Sequence, residues 1–206
     1  ICEGLVGSEM CIRDRLYLIR HAESVCNLLQ SSTGSVLDEL SFDGRKECLK
    51  LREVAKDLKN KFDLKIFSST AARSLETGVI LFGKDIKLDS DWQETNGGYL
   101  QNIPEKYVDD FFKLKNNNER KYPNGESNKF MQERVIRSLK KYLDLIKNQN
   151  IAIITHLGPI LAVAEYLNYK IPNVKNLDGI VITYVHKTYK LKTCLLYTSD
   201  AADELR

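Results

Sequence analysis

The sequence predicts an α/β protein, a three-layer sandwich with a mostly parallel central sheet and helices on both faces. Three observations carry that expectation. Short apolar runs at 16–19, 62–67 and 151–154 have the length and composition of buried strands. Segments with apolar residues at helical spacing lie between them, so strand and helix alternate along the chain. Finally, these runs end at polar residues with chemical potential: His21, Ser68-Ser69 and His156. In open parallel sheets ligands gather at the carboxyl ends of strands.

The elements follow in order. Leu16-Tyr17-Leu18-Ile19 is the first strand and gives way to Arg20-His21-Ala22-Glu23-Ser24. Ser41-Phe42-Asp43-Gly44 opens a helix with Leu49, Leu51, Val54, Ala55 and Leu58 on one apolar face. A second strand at 62–67 ends in Ser68-Ser69-Thr70, and a helix through Leu75, Val79 and Ile80 stops at Gly83. Residues 84–88 read as a brief third strand, and 92–102 as turns around Gly97-Gly98. A helix at 105–115 is expected to bury Tyr107, Val108, Phe111 and Phe112. The polar stretch 115–124, with three successive Asn and then Pro123, is a loop. Gly125-Glu126-Ser127 reads as the start of a long amphipathic helix reaching 147, with Phe130, Val135, Leu139, Leu143 and Ile146 at helical spacing. The run at 151–154 is the strongest strand signal; it ends in Thr155-His156-Leu157-Gly158-Pro159, and a helix through Leu161, Val163, Ala164 and Leu167 follows. Residues 180–185 form the last clear strand.

Composition narrows the class. The chain has 206 residues, 43% hydrophobic and 29% charged, with a net charge of +3, which is ordinary for a globular protein. That charge is too small to argue for nucleic acid or a membrane surface, and no apolar run is long enough to cross a bilayer. No secretory leader is legible. The five cysteines are odd in number, without framework spacing and without a CxxC pair, so neither a disulfide scaffold nor a zinc site is expected. A cytoplasmic location follows as the expectation. Cys26 and Cys48 read as small packed residues.

The two ends read differently from the middle. Residues 5–15 and 194–204 resemble translated sequencing-adapter tails. Residues 1–15 and 194–206 are therefore expected to be non-native, flanking one domain at 16–193 in which about 94–126 forms a cap or insertion. Native sequence is expected to be missing at the ends. The tails hold six acidic residues against three arginines, so the remainder carries +6 rather than +3, which mildly suits an anionic substrate.

The candidate chemistry rests on few residues. Of the three histidines, His21 and His156 stand at strand ends, while His186 lies in a strand-like stretch without a site signal. A neutral imidazole is a good nucleophile toward phosphorus when its other nitrogen is held by a hydrogen bond. Arg20 beside it would pair with phosphate oxygens through its planar fork, and Arg73, just past Ser68-Ser69-Thr70, would supply a second guanidinium. His156, if protonated, would add a third positive donor. Phosphoryl transfer needs mainly positioning and charge neutralisation at the equatorial oxygens, which these groups could supply without a metal or other cofactor. The leaving alkoxide needs a proton, and Glu94 is the carboxyl best placed in sequence to donate it. A carboxyl partly buried beside an anion holds its proton more tightly and acts as a general acid, later as a base toward water.

These segments together resemble the histidine phosphatase superfamily, the phosphoglycerate-mutase-like fold. Leu18-Ile19-Arg20-His21-Ala22-Glu23-Ser24 is similar to that family's opening strand and Arg-His-Gly/Ala-Glu signature. Leu40-Ser41-Phe42-Asp43-Gly44 resembles its Leu-Thr-x-x-Gly helix start, and Ser68-Ser69-Thr70-Ala71-Ala72-Arg73 its segment with the second phosphate-binding arginine. Trp92-Gln93-Glu94 resembles the acid/base segment, Gly125-Glu126-Ser127 an element of the branch nearest the mutases, and Ile153-Ile154-Thr155-His156 the second-histidine strand. The resemblance implies His21, Glu94 and His156 as catalytic and Arg20, Asn27, Arg73 and His156 as phosphate-binding, with no metal. Two positions depart from the pattern. Ala22 replaces the commoner Gly, and Leu157 stands where Gly usually follows the second histidine, which is expected to restrict the backbone and narrow the pocket.

The resemblance also implies that mutases carry a longer insertion than the 62 positions between Glu94 and His156. The expected function is thus a metal-independent phosphatase acting on a small phosphomonoester, such as α-ribazole phosphate or a sugar phosphate, through phospho-His21. The alternatives are a phosphoglycerate mutase and a non-catalytic phosphate-ligand-binding protein. The expected partner is the small phosphorylated substrate, and both monomer and homodimer stay open.

Overall fold

The computed structural model describes residues 15–32, 34–117, 119–171, 173–185 and 188–195. Six strands form one sheet: β1 (Arg15–Arg20), β2 (Lys65–Ser68), β3 (Lys87–Leu88), β4 (Ile151–Thr155), β5 (Asp178–Val185) and β6 (Thr188–Leu195). Their order is β3-β2-β4-β1-β5-β6. The pairs β2·β3, β2·β4 and β1·β4 are parallel, whereas β1·β5 and β5·β6 are antiparallel. The helices are α1 (Val25–Leu28), α2 (Phe42–Phe62), α3 (Ala72–Phe82), α4 (Glu105–Leu114), α5 (Asn128–Leu145) and α6 (Leu157–Tyr166). This is the three-layer α/β sandwich anticipated from the sequence.

The period of two along the strands builds the layers. On one face Leu16, Leu18, Ile151, Ile153, Ile180 and Ile182 pack with Val135, Leu139 and Leu143 of α5 and Ile160 and Val163 of α6. On the other, Tyr17, Ile19, Ile66, Ala152 and Ile154 pack with Leu51, Ala55 and Leu58 of α2 and Leu81 and Phe82 of α3. Strands covered on both faces read as continuous apolar runs, which is why β1 and β4 were so visible. A third, small cluster of Val108, Phe112 and Tyr122 lies under the 94–126 segment.

Several boundaries differ from the expectation. The second strand starts at Lys65, because α2 runs on to Phe62, whose ring belongs to that helix's buried face, and the chain turns at Asp63 with φ 44°. The third strand has only two residues. Residues 92–102 hold two single turns of 3-10 helix, Ser90–Trp92 and Gly98–Leu100, partly outside the expected stretch. Tyr107 is 64% exposed and Phe130 60%, so neither is core. In α4 the inward stripe is Val108 and Phe112, four residues apart, with Phe111 half-buried. Leu49 and Leu161 also face outward, whereas Cys26 and Cys48 are buried.

β6 was not anticipated. Its sequence, Thr-Tyr-Lys-Leu-Lys-Thr-Cys-Leu, is that of an edge strand protected by lysines rather than an apolar run. It crosses the expected domain boundary between 193 and 194. His186 lies outside the described residues.

Register places the site. Arg20 pairs with Thr155, and Ser68 with Ile154, so the carboxyl ends of β1, β4 and β2 finish together. The His21 N–H donates to Thr155 O at 2.9 Å and the Ser69 N–H to Ile154 O at 2.9 Å, extending both ladders by one residue. His21, Ser69 and His156 therefore leave the sheet along one edge.

Candidate active site

His21 and His156 come from adjacent strands, and their rings meet edge-on with centroids 5.0 Å apart. Both are buried. His21 Nδ1 lies 2.6 Å from Ala22 O. A carbonyl can only accept, so Nδ1 carries the proton and Nε2 keeps its lone pair. Arg73 Nε donates to that Nε2 at 3.1 Å. Burial, then Arg73, push His21 well below the ordinary histidine range, against the Ala22 carbonyl that raises it. His21 is thus neutral, with a defined tautomer.

His156 stands at the N-cap of α6. Its Nε2 lies 2.8 Å from Ser69 Oγ and 3.3 Å from Ser74 Oγ, while its buried Nδ1 has no hydrogen-bond partner among the described residues. A protonated His156, considered from the sequence, would hold its charge against its surroundings. Burial first, then the charge of Arg73, hold it well below the usual histidine range.

These two directions fix the sign of a stability effect. Both histidines have folded-state values depressed below the unfolded value near 6.5. As pH falls through about 6.5 the unfolded chain takes up protons that the folded chain refuses, so stability drops. Each ring contributes up to about 1.4 kcal/mol per pH unit in that window. Urea unfolding at pH 7.5 and 5.5 is expected to show a clear loss at the lower pH, reduced by roughly half in His21→Ala. Equal stability at both values would contradict the burial of two neutral imidazoles.

Arg73, at the start of α3, is held on three sides. Its Nη1 donates to Ser35 O at 3.0 Å and lies 3.6 Å from Asp38 Oδ2, and its backbone N–H donates to Asp38 O at 3.0 Å. Asp38 in turn accepts from the Cys26 N–H at 3.1 Å. Arg20 Nη1 donates to Val174 O at 2.7 Å, and its buried Nε has no hydrogen-bond partner among the described residues. Burial lowers both guanidinium groups from their ordinary value, most directly opposed by Glu94 for Arg20 and by Asp38 for Arg73. Both stay charged, as arginine does in proteins.

Glu94 is presented by a clamped segment. Thr155 Oγ1 donates to Trp92 O at 2.7 Å, and Arg134 Nη1 of α5 donates to Asp91 O at 2.8 Å and Gln93 O at 3.1 Å. The Arg134 guanidinium also pairs with Glu126, whose Oε1 accepts the Asn96 N–H at 2.9 Å. The carboxylate itself accepts the Thr95 N–H at 2.9 Å and the Gly158 N–H, in the first turn of α6, at 3.0 Å. A Cβ on Gly158 would lie 2.2 Å from Glu94 Oε1, so this residue must be glycine if the carboxylate is to sit there.

Leu157 is less disruptive than the sequence suggested. It is the first residue of α6 and not among the positive-φ residues, so no glycine-only conformation is demanded of it. Its half-buried side chain packs on the core and lines the cavity wall.

A cavity of about 240 Å³ opens over this edge, with Arg20, His21, Asn27, Arg73, Glu94 and Leu157 among its walls. All the anticipated residues except His156 line it; His156 sits behind, against His21. A second space of about 240 Å³ adjoins it, sharing Gly34, Arg73 and Glu94. Sequence reasoning missed Asp38, Ser74, Gly158 and Asn176, which touch the named residues, and Arg134, which holds the segment carrying Glu94; of these Asp38 also lines the cavity. Ser69 was quoted only as part of a strand end, and Glu126 only as a helix start. Among the described residues no three His, Cys, Asp or Glu side chains gather to hold a metal ion, and no helix is long and apolar enough to cross a membrane.

Comparison with known proteins fits this geometry. The sequence model of the histidine phosphatase superfamily (branch 1) matches residues 16–191. No curated protein matches the sequence. Similar solved structures include a phosphoglycerate mutase from Bacillus anthracis str. Sterne, with TM-score 0.73 and 18% identity over 94% of this chain and 97% of that one. A candidate alpha-ribazole-5'-P phosphatase from Escherichia coli str. K-12 substr. MG1655 gives TM-score 0.73 and 18% identity over 89% and 96% of the two chains. The protein TTHB049 from Thermus thermophilus gives TM-score 0.69 and 22% identity over 87% and 98%. At these identities the likeness speaks for the fold alone.

Proposed function

The chain belongs to the histidine phosphatase superfamily, and from that premise we propose that it hydrolyses a small phosphomonoester, without a metal, through a phosphohistidine intermediate on His21. One observation carries the reading: a buried, neutral His21 whose Nδ1–H is fixed by Ala22 O and whose Nε2 lone pair faces Arg73 at the wall of an arginine-lined cavity.

The ligand-free contact between Arg73 Nε and His21 Nε2 defines the first event. The lone pair that must attack phosphorus is accepting a hydrogen bond, so the guanidinium has to transfer that donor to a phosphate oxygen as substrate enters. Arg20 and Arg73 then neutralise the non-bridging oxygens. Nε2 forms the N–P bond while the P–O bond to the alcohol breaks, and Glu94 in its acid form gives the alkoxide a proton. In the second half a water attacks phosphorus, its proton passes to the Glu94 carboxylate, and the N–P bond breaks to release phosphate and restore neutral His21.

The test is release of phosphate from p-nitrophenyl phosphate in excess chelator, with no bisphosphate primer. Steady turnover is the expected result. Turnover that requires an added divalent metal, or transfer that depends on a bisphosphate primer, would overturn the reading; the latter would point to a mutase.

A further inference from the structure

We propose that Asn176 is a positioning residue for phosphate binding, setting the amide of Asn27 so that its NH2 group faces the cavity. The inference rests on the phosphate-site reading above. Asn27 lines the cavity with Arg20, His21 and Arg73. Its Oδ1 has two lone pairs, and both are occupied: the Ser24 N–H donates at 3.3 Å, within the capping box of α1, and Asn176 Nδ2 donates at 3.1 Å. The remaining NH2 makes no hydrogen bond within the described residues. It is left as a donor at the wall where an anion would sit.

The same Asn176 Nδ2 donates to His21 O at 2.9 Å. One amide group therefore ties the backbone of the nucleophile to the side chain of Asn27. Its neighbours act on the same strand end. Leu177 N–H donates to Arg20 O at 3.1 Å, and Val174 O accepts Arg20 Nη1 at 2.7 Å. Leu177 is buried with φ 65°, a left-handed conformation that a leucine keeps only where its surroundings enforce it. The residues 174–177, just ahead of β5, thus strap Arg20, His21 and Asn27 together from outside the cavity wall.

Without the Asn176 donor, one lone pair of Asn27 Oδ1 is free and the amide can turn. An aspartate at 176 is a sharper probe. It keeps the size, donates nothing to His21 O or Asn27 Oδ1, and attracts the Asn27 NH2 away from the cavity.

The experiment is a double-mutant cycle on Asn27→Ala and Asn176→Ala, with Asn176→Asp as the near-isosteric third variant. Binding of inorganic phosphate is measured by calorimetry and p-nitrophenyl phosphate turnover in parallel, with thermal unfolding as a check on folding. Each single variant is expected to weaken phosphate binding about tenfold, as for loss of one hydrogen bond to a charged group. The double variant should remain near tenfold rather than reach about a hundredfold, because the two residues act as one unit. KM should rise more than kcat falls. Independent, multiplicative effects, or wild-type phosphate affinity in Asn176→Asp, would overturn the proposal. Wild-type protein that neither binds phosphate nor turns over the aryl phosphate would instead defeat the site reading on which it rests.

Discussion

Replacing His21 by alanine is expected to lower p-nitrophenyl phosphate turnover by about four orders of magnitude or more, the scale at which removal of a covalent nucleophile is felt. Neither Ser69 nor Cys26 is set to substitute for it. Ser69 Oγ is turned to His156 and the Ala71 N–H, and burial raises the Cys26 thiol to about 11, leaving it protonated. The fold should survive, since among the described residues the His21 side chain bonds only to the adjacent carbonyl and to Arg73, and Arg73 keeps Ser35 O and Asp38. Turnover and an unfolding curve on the same preparation check both halves. Full activity in a folded His21→Ala protein would remove the nucleophile from the account.

Arg73→Ala is expected to fail in two separable ways. Arg73 and Asp38 have side chains 4% and 3% exposed, so deleting the cation leaves a buried carboxylate uncompensated, at roughly 3–5 kcal/mol. It also removes the group that faces both His21 Nε2 and the incoming phosphate, with a fall in kcat/KM of about a thousandfold. Adding Asp38→Asn to Arg73→Ala should recover much of the stability and little of the activity. Recovery of both together would mean that Arg73 serves folding alone. Arg73→Lys keeps a charge but not the fork that reaches His21 and Ser35 at once, so it should recover only part of the rate.

What was legible in the sequence follows from how each feature is encoded. β1 and β4 are buried on both faces, so they appear as uninterrupted apolar runs. The candidate site residues Arg20, His21 and His156 stand next to those runs, which is why strand ends alone single them out. Asn27 needed the family resemblance, whereas Arg73 and Glu94 were reached from the chemistry and drew their weight from the other groups, because an arginine on a helix and a carboxyl in a turn look the same whether or not they serve a site. β6 was hidden because an edge strand spaced by lysines lacks a periodic apolar signal.

The supporting contacts were out of reach for a different reason. Asp38 and Arg73, Ser69 and His156, and Asn176 and Asn27 are 35, 87 and 149 positions apart. Each bond depends on the sheet register that brings the strand ends together, and no spacing rule contains it. Gly158 illustrates the point. In sequence it looks like an ordinary helix-start glycine, and only the 2.2 Å approach to Glu94 reveals why a side chain there would displace the carboxylate. The surroundings of His156 were equally out of reach, since burial and then the charge of Arg73 hold it well below the usual histidine range.

The most direct test of the central claim is to trap the covalent intermediate. Glu94→Gln removes the base that activates water for the second step while leaving His21 and both arginines in place. Mixed with p-nitrophenyl phosphate at neutral pH and digested without acid, this variant should yield one phosphorylated peptide, modified at His21, together with a burst of p-nitrophenol equal to the enzyme present. A burst-free reaction with no phosphate on His21, or phosphate on any other residue, would contradict the account.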